Sequence, residues 1–125
     1  LEKSPFLGAL FEGFIASEIV KVQVNTGGRR ELYYFRDQQG LEVNFVVPRK
    51  NASVKLVEAK ASRTVTPGMA GPMQRLATAW AKRPDKRGGI RRLLVHRPAR
   101  AGTKSRAVAP VVQALPWQEF VAKGL

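Results

Sequence analysis

The sequence predicts an α/β domain, a mixed β-sheet with helices packed on it. Three observations carry that reading. The chain opens with apolar residues at helical spacing. Three short segments rich in β-branched and aromatic residues follow. A second helical pattern then precedes one or two more strand-like segments. At 125 residues, 44% of them hydrophobic, the chain suits one core and is read as a single domain over 1–125.

The elements are expected in this order. "SPFLGALFEGFIASEIVKVQ" reads as the first helix, with Ser4 as its cap and Pro5 in its first turn. Leu7, Leu10, Phe11, Phe14, Ile15, Ile19 and Val22 form its apolar stripe, with Glu12 at the edge and Glu18 near the middle. "NTGGRR" ends it. "ELYYFRD" and "LEVNFVVP" are strands joined by "QQG" as a hairpin, and "VKLVEAKAS" is a third strand after the turn "RKNAS". A helix starting near Pro72 turns Met73, Leu76, Ala77 and Trp80 inward and ends by Pro84. "IRRLLVHRP" is a fourth strand, "ARAGTKSR" a basic connection, and "AVAPVVQAL" a further strand with Pro110 at an edge. A short helix starts at Pro116, and His96 is read as a surface residue.

Charge is the strongest compositional signal. Lys plus Arg total 22 against 9 acids, a net charge of +13. From Arg75 onward, 12 basic residues face only Asp85 and Glu119. Such a chain attracts polyanions, and nucleic acid (DNA above all) is the expected partner. Candidate contacts are Arg36, Arg63, Arg91, Arg92, Arg97, Arg100 and Lys104. No cysteine is present, so disulfides and thiolate metal sites are excluded. With one histidine, any metal site would rest on oxygen ligands. No apolar run is long enough to cross a bilayer, and no signal peptide is visible, so no membrane partner and a cytoplasmic location are expected.

Polar groups inside strands point to a site. Strict alternation puts Glu42, Asn44 and Val46 on one face of the second strand, and Leu56, Glu58 and Lys60 on one face of the third. Between covering helices, such charges need partners or a metal. On a wet sheet face they would be ordinary solvent positions.

Glu12, "YYFRDQQGLEVNFVV" and "LVEAK" arrive in an order that resembles the PD-(D/E)XK, restriction-endonuclease-like superfamily. The resemblance implies a core of helix, three strands, helix and one or two strands. It also implies a glutamate from the first helix, an acid from the second strand and a Glu-x-Lys from the third. In the family the carboxylates hold magnesium and the lysine positions or activates the attacking water. Carried over, Glu12, Asn44 and Glu58 are the magnesium ligands, and Glu58 and Lys60 with Glu12 and Asn44 are the catalytic set. Gln74, opening the next helix, is a candidate supporting residue.

"LGALFEGFIASEIVK", "LYYFRDQQGLEVNFVV", "LVEAKAS" and "ALPW" together resemble a C-terminal domain of unknown function that follows an AAA+ ATPase module in prokaryotic proteins. That likeness runs from about Leu7 to Trp117 and is strongest from Gly8 to Ser62. It implies that the chain is a C-terminal piece of a longer protein, with the ATPase module as a partner. The chain has no Walker A loop, so it is not expected to bind ATP through one.

One position departs from the pattern. The second strand reads Glu-Val-Asn where the family has Glu-Val-Asp, so Asn44 replaces a metal-binding aspartate. The leading expectation is a nucleic-acid-binding, nuclease-like domain with impaired cleavage. An active magnesium-dependent endonuclease is a second reading, and a protein-interaction or regulatory module of the ATPase a third. In a retired site, Asn44 would bond Lys60 and Glu58.

Overall fold

The computed structural model describes residues 5–82, 89–98, 100 and 102–123. Helix α1 spans Pro5–Asn25 and is followed by strands β1 (Tyr33–Arg36), β2 (Glu42–Pro48) and β3 (Val54–Lys60). Helix α2 (Gly71–Ala81) leads to β4 (Ile90–His96), then β5 (Arg106–Ala109), β6 (Val112–Pro116) and helix α3 (Trp117–Lys123). These strands form one six-stranded sheet in the order β1-β2-β3-β4-β6-β5. The first three run antiparallel, β4 lies parallel to both β3 and β6, and β5 returns antiparallel on β6. The predicted mixed α/β sheet with flanking helices is present, with more strands than the pattern suggested.

The extra strand comes from "AVAPVVQAL". It is a hairpin, with Pro110 and Val111 in the turn and Val111 at a positive φ of 61°. Pro110 therefore ends β5 rather than lying within an edge strand. Its carbonyl accepts a 2.6 Å hydrogen bond from Gln74 Nε2. Ser4 and Pro84 lie outside the described residues, and α2 ends at Ala81, before Pro84.

Helix α1 buries a narrower stripe than its sequence suggests. Phe11, Ile15 and Ile19 are buried, whereas Leu10 and Phe14 are exposed. The helix crosses only part of the sheet, so one i, i+4, i+8 row is enough to cover its contact. Phe14 instead meets the ring of Trp117 edge-on, with centroids 5.3 Å apart. Glu18 pairs with Lys21 at 3.0 Å and is half-buried. The helix ends where Gly27 takes a φ of +79°, a conformation that side chains disfavour, and Gly28 N–H returns to the Gln23 carbonyl at 2.8 Å. The β1–β2 hairpin is closed by Asp37, whose Oδ1 accepts the N–H groups of Gln39 and Leu41, and by Gly40 at φ 87°.

The sheet is covered on both faces, and the core is split accordingly. On one side Val43, Val54, Leu56, Leu94 and Ala114 pack against Met73, Leu76 and Ala77 of α2. On the other, Val47, Val57, Ala59, Leu93 and Val95 pack against Phe11, Ile15 and Ile19 of α1 and Phe120 of α3. Every β3 residue from Val54 to Ala59 is buried as a result. His96, at the end of the central strand β4, is buried too, not at the surface as its sequence position suggested. Its Nδ1 lies 3.0 Å from the Arg97 carbonyl.

Ile15→Ala and Met73→Ala truncate fully buried side chains on opposite faces of the sheet. Each should cost about 2–5 kcal/mol in chemical denaturation. Because the sheet separates them, the double variant should equal their sum to within ~0.5 kcal/mol.

Candidate functional site

The site is built on an interruption between β2 and β3. Their ladder pairs Phe45 with Val57 and continues to Pro48 and Val54, but does not extend beyond Phe45 toward the start of β2. Against β1, three steps along β2 (Val46 to Val43) match two steps (Tyr33 to Phe35), so β2 carries one extra residue there. This bulge overturns the strict alternation expected from sequence. Val43 and Val46 both face α2, whereas Phe45 and Val47 face α1. Asn44, within the bulge, reaches Glu12 of α1.

Side chains replace the missing ladder bonds. Asn44 N–H donates to Glu58 Oε1 at 2.9 Å. Ala59 N–H donates to Asn44 Oδ1 at 2.8 Å. Asn44 Nδ2 donates to Glu12 Oε1 at 3.0 Å. Lys60 Nζ lies 3.4 Å from Glu58 Oε2, completing the chain Glu12–Asn44–Glu58–Lys60. All four residues singled out in the sequence thus meet at one fork in the sheet. Lys60 is not bonded to Asn44; its partner is Glu58.

Glu58 is the buried centre of this set, 5% exposed. Burial raises its carboxyl pKa above the ordinary carboxylate value, and Glu12 adds a smaller effect in the same direction. The Asn44 N–H and the Lys60 ammonium oppose the rise without cancelling it.

Magnesium needs oxygen donors that are free to ligate it. Asn44 can ligate only through Oδ1, and that atom faces the Ala59 N–H. Turning the amide over would set its oxygen against the Glu12 carboxylate and its NH₂ against the Ala59 N–H, so both neighbours fix its orientation. Glu12 Oε1 and both Glu58 oxygens are likewise engaged by Asn44 and Lys60. Among the described residues no group of three or more His, Cys, Asp or Glu side chains is arranged to hold a metal ion. As arranged, the site does not fit magnesium. It can hold charge in a hydrogen-bonded chain centred on the buried Glu58.

The candidate cationic residues divide between the two ends of the sheet. Arg36 ends β1 beside Glu42, so it lies at the fork end, with its Nε 2.8 Å from Glu42 Oε1 and its guanidinium over Tyr34. Arg63 follows β3 and Arg97 follows β4 at that same end; Arg97 Nη1 lies 3.5 Å from the Ala61 carbonyl. Arg100 and Lys104 lie in the exposed connection leaving β4 there. Arg91 and Arg92, by contrast, start β4 and sit in register with Lys55 and Leu56, at the opposite end. Gln74 is not a supporting residue of the fork, because its amide holds the β5–β6 turn.

Sequence reasoning passed over Lys55. It is fully buried, and its Nζ has no hydrogen-bond partner among the described residues. Alternation from the inward-facing Val57 and Ala59 was the available signal.

Two helices on one sheet face, one on the other, and a Glu-x-Lys with its glutamate buried at a strand fork define an α/β domain with a polar site between diverging strands. The chain belongs to the domain-of-unknown-function family DUF4143, whose model matches residues 7–118. No curated protein and no solved structure matches it. No helix among the described residues is long and apolar enough to cross a membrane.

Fold stability should report the Glu58 environment. Its folded pKa lies above the unfolded one, so its contribution is fully present below the unfolded value and is lost as pH rises through the raised value. Glu58→Gln keeps an acceptor for Asn44 N–H but does not titrate. The stability of the wild type relative to Glu58→Gln should therefore fall as pH rises from about 4 to 7. Urea denaturation across that range measures it; a flat difference would mean that Glu58 titrates as in the unfolded chain.

Proposed function

We propose that this chain is a nucleic-acid-binding domain with a PD-(D/E)XK nuclease-like core whose cleavage site is retired, acting as the C-terminal part of an AAA+ ATPase. The reading rests on one juxtaposition. Glu12, Asn44, Glu58 and Lys60 converge at a fork, and Arg36, Arg63, Arg97, Arg100 and Lys104 sit at that same end of the sheet. A polyanion drawn to those cations is brought to the fork. There the Asn44 amide stands between the two glutamates, supplying donors and backbone satisfaction where cleavage would need a metal.

Binding should be salt-dependent and indifferent to sequence. If six phosphates are contacted, affinity for a DNA duplex in fluorescence anisotropy should fall about a thousandfold between 50 and 200 mM salt. Neutralising Arg97 or Arg100 to Gln should each reduce the log–log salt slope by about one. Absence of binding at the lower salt refutes the reading. The wild type should leave DNA intact with Mg²⁺ or Mn²⁺, whereas Asn44→Asp should gain cleavage that Glu58→Ala removes. Cleavage by the wild type, abolished by Glu58→Ala and by Lys60→Ala, would instead establish an active endonuclease.

One observation favours a second reading, an interaction module of the ATPase. Phe6, Leu10 and Phe14 recur every four residues on α1 and are 74%, 62% and 39% exposed. Capture of the ATPase module that survives nuclease treatment and is lost in Leu10→Glu would support it.

A further inference from the structure

At the end of the sheet away from the fork, the described residues gather more positive charge than negative. Lys55 and Arg91 are direct neighbours in the parallel ladder of β3 and β4. Both lie on the α1 side, by alternation from Val57 and Leu93. Lys55 is 0% exposed, and its Nζ makes no hydrogen bond among the described residues. The Nε of Arg92, next along β4, is also buried without a partner. Arg49, at the β2–β3 turn, joins Arg91, Arg92 and Ser53 in lining a cleft of about 520 Å³. A second cleft, of about 790 Å³, shares Arg49 and Ser53 and adds Arg29 and Lys50. Among the described residues the one acidic residue lining either cleft is Glu31, which lies 4.0 Å from Arg29.

A buried ammonium with no acceptor is costly, and two guanidiniums nearby increase the cost. Burial first, then Arg91 and Arg49, lower the Lys55 pKa to about 8. No carboxylate among the described residues offsets them. The arrangement is unfavourable for an empty fold and favourable for one that holds an anion.

We propose that Arg49 and Arg91, backed by Lys55, form a phosphate-binding site at the amino-terminal ends of β3 and β4. It is separate from the fork: Lys55 and Lys60 are five residues apart on one strand, roughly 16 Å. A phosphate seated on the two guanidiniums accepts their paired N–H donors and lies within Coulombic reach of the buried ammonium. A dianion matches two guanidiniums backed by a buried ammonium better than a single carboxylate does. The same chemistry comes from a free nucleotide or from a terminal phosphate on a nucleic acid. The site does not depend on the proposed role of the fork.

Thermal unfolding of the whole chain in phosphate and in chloride, at equal ionic strength, tests it. The wild type should melt higher in phosphate, because a ligand that binds only the folded state stabilises it. Arg91→Gln, a change at an exposed side chain, should lose that increment. Lys55→Met should lose it as well, yet melt higher than the wild type in chloride, since an uncompensated buried charge has gone. Titration should show phosphate affinity at least about tenfold weaker in either variant. Equal melting of the wild type in the two salts overturns the site, as does a phosphate increment unchanged in both variants.

Two further probes identify the source. Tighter binding of a 5′-phosphorylated oligonucleotide than of its dephosphorylated twin assigns a nucleic-acid end; equal binding by a nucleoside monophosphate assigns a small ligand. Lys55→Met should keep the salt-dependent duplex binding of the fork end. Failure of duplex binding with the phosphate increment intact would remove the proposed function and leave this site standing.

Discussion

The site depends on one local constraint, the loss of backbone pairing between β2 and β3 beyond Phe45 and Val57. An unpaired backbone group between two packed helical layers is costly, so something must replace the ladder. Here two side chains do so. The Asn44 amide takes the Ala59 N–H, and the Glu58 carboxylate takes the Asn44 N–H. Each residue thereby completes the other strand's backbone and is fixed in its own rotamer. Glu12 and Lys60 attach to this cross-link from α1 and from the strand end. The Oδ1 of Asn44 and the Oε1 of Glu58 are thus taken up by backbone N–H groups of the facing strand.

Covering both faces explains why so much charge is displaced to the strand ends. The middle of β3 has no access to water, so the cations of the sheet lie at its two ends or on connections. Lys55 also lies at a strand end but, unlike the others, is fully buried. Its position in the alternation turns it toward the α1 layer, where among the described residues its ammonium finds no hydrogen-bond partner.

The sequence conveyed the architecture through periodicity, and the site through residue types in order. Glu12 lies at the edge of a helical stripe and the Glu-x-Lys pair in a third strand, but only the resemblance of their order to a known pattern joins them with Asn44 into one site. What stayed hidden was what periodicity does not encode. A bulge adds one residue and reverses alternation beyond it, so Val43 and Asn44 lie on the opposite faces from those a regular strand would give them. "AVAPVVQAL" has the composition of one strand, and only tertiary pairing shows that Val111 turns it back on itself. His96 looked exposed because it adjoins an arginine, but a central parallel strand is buried to its end. Leu10 and Phe14 fit the helical stripe yet lie beyond the width of sheet that α1 covers.

The outer strands carry a consequence of their own. β1 and β5, the two borders of the sheet, are each four residues long, and each pairing with its inner neighbour contains a register shift. A short, twisted border is a poor template for an added strand. This domain is therefore ill-suited to growth by strand addition, whether with a peptide or with its own copies. Recognition falls instead to side chains at the strand tips and on the helices, where a ligand meets charge and shape rather than a row of open peptide groups.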